Sequence, residues 1–287
     1  TRTYFDYSTP RRTLNNRNFA LYTAGNTVSL CGMWVQRLAV AWLIWDLTES
    51  GVWLGAIAMA EFVPTLLVTP ISGVLADRFD RRSLAIVGQA LAGVQAAILC
   101  ILTFTGLITP LWIIVLTLFV SVVVAFNQTA RLTLVPMMVP RENLTSALAI
   151  TSVIFNLARF VGPLLAGLMI TYIGVGFAFS FNAVTYIAII LALLALDIPK
   201  QDRSAARNAR MREELIAGCR YTISHTPLLT LLTLFLAGSV LARPIGELLP
   251  GFADTVFGGG ASLLAAMTSS LGAGAIVAGL WLSGKNS

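Results

Sequence analysis

Residues 73–82 have the sequence GVLADRFDRR and form a short charged loop between two long apolar runs, 52–76 and 83–106. Each run is long enough to cross a bilayer, which takes about 20 apolar residues in a helix. Gly73 allows close helix packing, and Asp77 can cap a neighbouring helix N-terminus. Arg78, Arg81 and Arg82 are expected to face acidic partners or lipid phosphates. The segment therefore predicts two membrane helices joined on a basic side.

The whole chain has the composition of a membrane protein. Of its 287 residues 57% are hydrophobic and 11% are charged, whereas a soluble domain carries about 25% charged residues. This composition excludes a soluble enzyme. We expect an all-α membrane protein with eight spans at about 19–46, 52–76, 83–106, 110–135, 145–172, 174–196, 228–253 and 261–283.

Basic residues indicate the orientation of these spans. With the N-terminus in the cytoplasm, every Lys and Arg outside the spans falls in an inner loop. The outer loops then carry only acids, such as Asp46, Glu49 and Asp254. Because cytoplasmic loops are enriched in Lys and Arg, the sequence predicts a multi-pass protein of the cytoplasmic (inner) membrane with its N-terminus inside.

Polar segments divide the chain into four parts. We expect a cytoplasmic segment at 1–18, a six-helix bundle at 19–197, a basic cytoplasmic linker at 198–227 and the first two helices of a second bundle at 228–287. The linker is expected to carry an amphipathic helix over 203–221, although an ordinary loop is an alternative. Six spans, a basic linker and further spans are typical of transporters with two six-helix halves. The chain is therefore expected to be truncated after about eight of twelve spans.

Residue types also exclude several chemistries. The chain has one histidine, His225, and three widely spaced cysteines, so a metal centre or a histidine-dependent nucleophile is not expected. It has no nucleotide-binding loop. We expect no cofactor and no metal, contact with the lipid bilayer rather than nucleic acid, and no obligate protein partner.

Span five contains a second motif, NLARFVGPLLAG at 156–167. Gly162 and Pro163 loosen the helix, and small residues up to Gly167 permit tight contact with a neighbouring helix.

These motifs resemble those of the major facilitator superfamily. Segment 73–82 is similar to its signature loop G-x-L-x-D-R-x-G-R-[RK], with Asp80 in place of the usual glycine, and 162–167 is similar to the G-P-x-x-[AG]-G element of its antiporters. Segments 34–37, 46–50, 130–144 and 214–221 resemble the branch that contains enterobactin exporters and macrolide-efflux proteins.

The resemblance covers about 17–283 and implies a function. It implies a major-facilitator-type helical bundle that works by alternating access, with segment 73–82 as a conformational latch. It also implies export of an amphipathic small molecule, a drug or a siderophore, driven by protons. An importer of sugars or other nutrients is an alternative, and so is a non-transporting membrane sensor or interaction protein.

Charged residues inside spans are functional candidates because they are costly there. Arg37 and Glu61 both lie about 13 Å deep at about 1.5 Å per residue, so they can meet. Glu61 is either a proton carrier or one half of a permanent pair with Arg37, since burial disfavours a carboxylate and a nearby arginine favours it. Arg159 lies near the middle of span five, and Arg243 and Glu247 share a face of span seven.

Polar and aromatic side chains inside the spans are candidates for lining a substrate cavity. Hydrogen bonding between helices is an equal alternative for the polar ones. The candidates are Asn26, Trp34, Gln36, Asn127 and Asn156.

Overall fold

The computed structural model describes residues 12–78, 80–198 and 220–285, and these parts consist of helices and short connections. Their long helices are α1 (Arg17–Thr48), α2 (Gly51–Arg78), α3 (Arg81–Phe104), α4 (Pro110–Met138), α5 (Leu144–Tyr172), α6 (Val175–Leu194), α7 (Thr226–Glu247) and α8 (Gly260–Lys285).

Within the described parts, seven helices are long and apolar enough to cross a membrane: α1 to α6 and α8. This confirms the predicted all-α membrane fold. The predicted seventh span, 228–253, corresponds to α7 and the two short helical segments after it. Helix α7 stops at Glu247 and is followed by the short helix Leu249–Gly251 and the π-helical turn Phe252–Val256. Because only Thr226–Phe235 of α7 is found as an apolar helix, shorter than a span, the eight-span count stays a prediction.

Side-chain caps explain where several helices begin. The Asn16 side chain accepts a hydrogen bond from the Phe19 amide at the start of α1. The Thr109 side chain caps α4, with Pro110 in the first turn, where a missing N–H costs nothing. Asp80 caps α3 through the Ser83 amide, at 2.8 Å. Its backbone φ of −66° is open to any residue, so this loop does not need the glycine that the family places there.

Helix α1 lies at the centre of the packing. It contacts α6 and α5, while α3 contacts α6 and α4, and α2 lies along α4. Small residues make these approaches close: a Cβ on Gly32 of α1 would overlap the Thr185 and Asn182 side chains of α6. Helix α8 lies along α5 and joins the segment after residue 220 to the first six helices.

Two of the predicted parts cannot be compared with the structure. Residues 199–219 lie outside the described parts, so most of the predicted amphipathic helix of the linker does too. The same is true of residues 1–11, and the division into four parts stays a prediction.

Candidate functional site

Three charged side chains from three helices meet inside the membrane region. One nitrogen of Arg37, Nη2, lies 3.0 Å from Glu61 Oε2 and 2.9 Å from Glu247 Oε1. The side chains of Arg37, Glu61 and Glu247 are 39%, 22% and 14% exposed. The expected meeting of Arg37 and Glu61 is thus present, and Glu247 of α7 joins it. We call Arg37, Glu61 and Glu247 the charge triad; its formal charge is one positive and two negative.

Trp34 lies one helical turn before Arg37 and contacts a face of α5. The Arg37 Cζ is 5.4 Å from the Trp34 ring centroid, and the Arg159 Cζ is 5.7 Å from it. The Phe155 ring meets Trp34 edge-on, with centroids 5.8 Å apart. Because Phe155, Arg159 and Gly162 are spaced at four and three residues, they share one face of α5. Two guanidinium groups therefore lie within cation–π distance of one indole ring.

The small residues of span five produce close helix contacts, as their motif predicts. A Cβ on Gly162 would overlap the Trp34 Cβ, and one on Gly167 would overlap the Ala265 Cβ of α8. Pro163 is buried inside α5. Gly162 and Gly167 thus fix how closely α5 approaches α1 on one side and α8 on the other.

A chain of buried amides connects three helices beside Trp34. Gln36 Nε2 donates to Gln95 Oε1 at 3.0 Å, and Asn182 Nδ2 donates to Gln36 Oε1 at 2.8 Å. Thr185 Oγ1 donates to Asn182 Oδ1 at 3.1 Å. These bonds join α3, α1 and α6, so Gln36 acts as a connection between helices in this conformation.

The other polar cavity candidates also bond to protein groups. Asn26 accepts from Arg131 of α4. Asn127 donates to the Ala85 carbonyl of α3 at 3.0 Å. Asn156 donates to the Ser152 carbonyl of its own helix at 2.9 Å. Their amides therefore favour helix–helix or helix-internal bonding over free cavity lining.

In the candidate latch loop, residues 73–82, the structure describes the side chains at the C-terminal end, including Arg81 and Arg82. Arg82 donates to the Leu193 and Leu194 carbonyls at the end of α6, at 2.8 and 2.6 Å. The expectation that Arg82 faces an acidic partner or a lipid phosphate is therefore wrong, because unpaired carbonyls at a helix C-terminus attract a cation. Arg81 Nη1 lies 3.9 Å from Met137 Sδ. The side chains of Gly73, Asp77 and Arg78 lie outside the described residues.

The connection from α7 to α8 packs on the C-terminal end of α1. Trp45 Nε1 donates to Asp254 Oδ2 at 3.0 Å. A Cβ on Gly51, at the start of α2, would lie 3.6 Å from the Leu248 side chain. Together with Arg37–Glu247, these contacts join the segment after residue 220 to the first helices at one end of the bundle.

The sequence model of the transmembrane secretion effector family matches residues 8–285. The chain belongs to this family.

Curated relatives of the chain carry related descriptions. Macrolide efflux protein A of Streptococcus pyogenes is 26% identical over 278 residues, 93% of this chain and 67% of that protein. The staphyloferrin A transporter of Staphylococcus aureus is 26% identical over 179 residues, 61% and 45% of the two chains. The enterobactin exporter of Shigella boydii is 28% identical over 231 residues, 79% and 54% of the two chains. The chain thus spans between about half and two thirds of the length of these relatives.

These matches confirm the resemblance to the efflux-type transporters of the major facilitator superfamily. The family and these relatives are transporters rather than enzymes.

The structure also shows side-chain partners that the residue patterns alone did not predict. The sequence places Glu247 on the same face of α7 as Arg243, and the structure brings Glu247 to Arg37. The Arg243 side chain lies outside the described residues. Gln95 is a buried partner of Gln36 that sequence analysis did not single out. The sequence signal that could have identified Gln95 is a polar side chain within an apolar run, because such a side chain is costly in a membrane unless it has a hydrogen-bond partner.

Proposed function

We propose that this secretion-effector-family chain belongs to a proton-coupled exporter that moves an amphipathic small molecule by alternating access. It lies in the cytoplasmic membrane with its N-terminus inside, and its coupling ion is the proton. Support for export comes from the family and from relatives described as efflux proteins and exporters. Support for the orientation comes from the basic inner loops.

The charge triad is the single observation that carries the proton coupling. Both carboxylates bond to the same nitrogen of Arg37, so one negative charge is in excess. Two carboxylates that share one arginine nitrogen repel each other, and a proton on either one relieves that repulsion. Glu61 and Glu247, which lie beside the partly exposed Arg37, are therefore suited to share one proton that one of the two carboxylates takes up and releases.

The same triad links the proton to a change in helix packing. Glu61 belongs to α2 in the first bundle, whereas Glu247 belongs to α7 beyond the linker. A proton on Glu247 weakens its bond to Arg37 and leaves Arg37 with Glu61. In the proposed orientation this is the outer end of the bundle, where Trp45 also bonds to Asp254. Loss of the Arg37–Glu247 bond favours separation of α1 and α7 at this outer end.

The free energy of one such bond is similar to the electrical energy that one proton supplies. A hydrogen bond to a charged group contributes about 1.5–3 kcal/mol. One proton moving through 100 mV supplies ~2.3 kcal/mol. One proton per cycle is thus enough to break one such bond.

The test is accumulation of a labelled macrolide, a catecholate siderophore and a cationic dye in efflux-deficient cells. Cells express the 287-residue chain or the same chain extended to twelve spans, each with Glu61→Gln, Glu247→Gln or Glu142→Gln. Glu142 is exposed in the short helix Arg141–Asn143 and is the matched control. We expect lowered accumulation that a protonophore abolishes, that Glu61→Gln and Glu247→Gln impair, and that Glu142→Gln leaves intact.

Two results would contradict the proposal in different ways. Unchanged or raised accumulation of all three compounds at good membrane expression would refute export. Protonophore-sensitive export that survives both Glu61→Gln and Glu247→Gln would preserve export and refute the role of the charge triad.

A further inference from the structure

We infer that Arg159 and the Trp34 indole N–H form a binding site for an organic anion, so that the exported substrate is an amphipathic carboxylate or a similar anion. This inference rests on the proposed export function and gives it a substrate class.

Arg159 is the first observation. It lies in the middle of α5 and is partly exposed. Within residues 12–78, 80–198 and 220–285, its guanidinium group has no ion pair and no hydrogen bond; its contact is the Trp34 ring. Ionisable side chains in membrane spans are normally paired or face a cavity, and they mark substrate pathways. Arg37, by contrast, already has two carboxylates.

The Trp34 nitrogen is the second and independent observation. Trp34 is 9% exposed, and its Nε1 is a buried donor with no hydrogen-bond partner among the described residues. An indole N–H only donates, and buried donors are almost always paired. The group that satisfies it must be an acceptor, which a carboxylate or phenolate oxygen supplies.

The Arg159 guanidinium and the Trp34 indole both lie where α1 packs against α5. Arg159 Cζ lies 5.7 Å from the centroid of the ring that carries Nε1. Phe155 packs edge-on against this ring, and Gly162 brings the α5 backbone against the base of the Trp34 side chain. A guanidinium fork binds a carboxylate in a bidentate manner, and the indole N–H is a further unpaired donor on the ring that Arg159 contacts.

The surrounding charges place the anion at Arg159 rather than at Arg37. The charge triad has a negative excess, and Arg37 Nη2 is already bonded to Glu61 and Glu247. An anion that approaches the triad is repelled by its excess negative charge, while Arg159 has no ion-pair partner among the described residues. The Trp34 indole thus contacts both Arg37 of the charge triad, which is suited to protons, and Arg159, which is suited to an anionic substrate.

Binding is measured with three probes of the same shape and different charge: naphthoate, naphthamide and naphthylmethylamine. Isothermal titration calorimetry is performed on the 287-residue chain in lipid nanodiscs, with empty nanodiscs as background. The variants are Arg159→Gln, Arg159→Lys and Trp34→Phe. Arg141→Gln removes an equal charge from an exposed position outside the site and is the matched control.

We expect naphthoate to bind at least about tenfold more tightly than naphthamide, which corresponds to one bond to a charged group. Arg159→Gln should abolish this preference, while Arg159→Lys should keep part of it and Arg141→Gln all of it. Trp34→Phe keeps an aromatic ring and loses the N–H, so it should weaken naphthoate, and naphthamide less strongly because its neutral carbonyl oxygen is the weaker acceptor. Far-UV circular dichroism and gel filtration establish that each variant is folded.

Equal affinity for naphthoate and naphthamide in the unmodified chain would overturn the inference. So would a preference for naphthylmethylamine, or a naphthoate preference that persists in folded Arg159→Gln. If the macrolide or dye is exported while naphthoate shows no preference, the anion site is wrong and the export function stands. If the naphthoate preference depends on Arg159 but no compound is exported, the anion site stands and the export function is wrong.

Discussion

Replacing Gly162 by Ala should destabilise the protein because α5 and α1 touch at this residue. The added Cβ would overlap the Trp34 Cβ and lie 3.3 Å from the Cys31 carbonyl oxygen and 3.4 Å from the Trp34 carbonyl carbon. These are backbone atoms and the base of a side chain, so no rotamer change relieves the contact. Since carbon atoms pack best at about 3.5–4.0 Å, the helices must separate by roughly 1 Å.

A second glycine, Gly55, serves as a reference for measuring the free-energy cost of the overpacked helix contact at Gly162. Gly55 lies in α2, and a Cβ there would meet no heavy atom within 4 Å. Gly55→Ala should therefore stabilise the protein by about 0.5–1 kcal/mol through helix propensity alone. The same gain applies to Gly162→Ala, where overpacking opposes it by about 1–3 kcal/mol. Because propensity cancels in the comparison, Gly162→Ala should be less stable than Gly55→Ala by about 1–3 kcal/mol.

The assay is reversible unfolding by SDS from mixed micelles, followed by tryptophan fluorescence. Equal free energies of unfolding for the two variants, within about 0.5 kcal/mol, would refute the reasoning from helix contact. Gly167 supplies a rescue test, because its Cβ would meet the Ala265 Cβ across the α5–α8 contact. Gly167→Ala should be destabilised, and Ala265→Gly in the same chain should restore part of the loss by moving the methyl group to the other helix.

Three further predictions use the same unfolding assay. Asp80→Ala removes the cap of α3 and should cost about 0.5–2 kcal/mol, whereas Asp80→Asn should cost little; equal losses would contradict a capping role. Asn182→Leu removes the donor to Gln36 and should cost about 1 kcal/mol, as membrane hydrogen bonds do; a stabilised variant would show that this bond is not needed. A double-mutant cycle on Arg37→Gln and Glu247→Gln should give a coupling of about 1 kcal/mol, near the exposed-pair range because Arg37 is 39% exposed. A coupling free energy of zero would show that the Arg37–Glu247 bond between α1 and α7 does not contribute to stability.

Much of the candidate site follows from local rules. Arg37 and Glu61 are charged residues at equal depth in consecutive antiparallel spans, so their depth indicates that they can meet. Gly162 and Gly167 are predicted as contact residues because small side chains let membrane helices approach. The cap at Asp80 is also local, since Asp accepts from an amide three residues later.

Partners distant in the sequence were not predictable from such rules. Spacing places Glu247 beside Arg243, but Arg37, 210 residues earlier, is its partner in the structure. The bond between Gln36 and Gln95 depends on which faces of α1 and α3 meet. Arg82 was expected to face an acid or a lipid, and it bonds to α6 carbonyls because that helix ends beside it.

The sequence by itself determined the class of this protein: long apolar runs require helices in lipid, because every backbone group must be satisfied within its own segment. Its motifs also identified the superfamily. The tertiary structure decided which charges are shared and which, among the described residues, have no carboxylate partner: Arg37 bonds to Glu61 and Glu247, while Arg159 lies against Trp34. The physical reason is that helix propensity and hydropathy depend on neighbours along the chain, whereas ion pairing in a membrane depends on how helices rotate and approach one another.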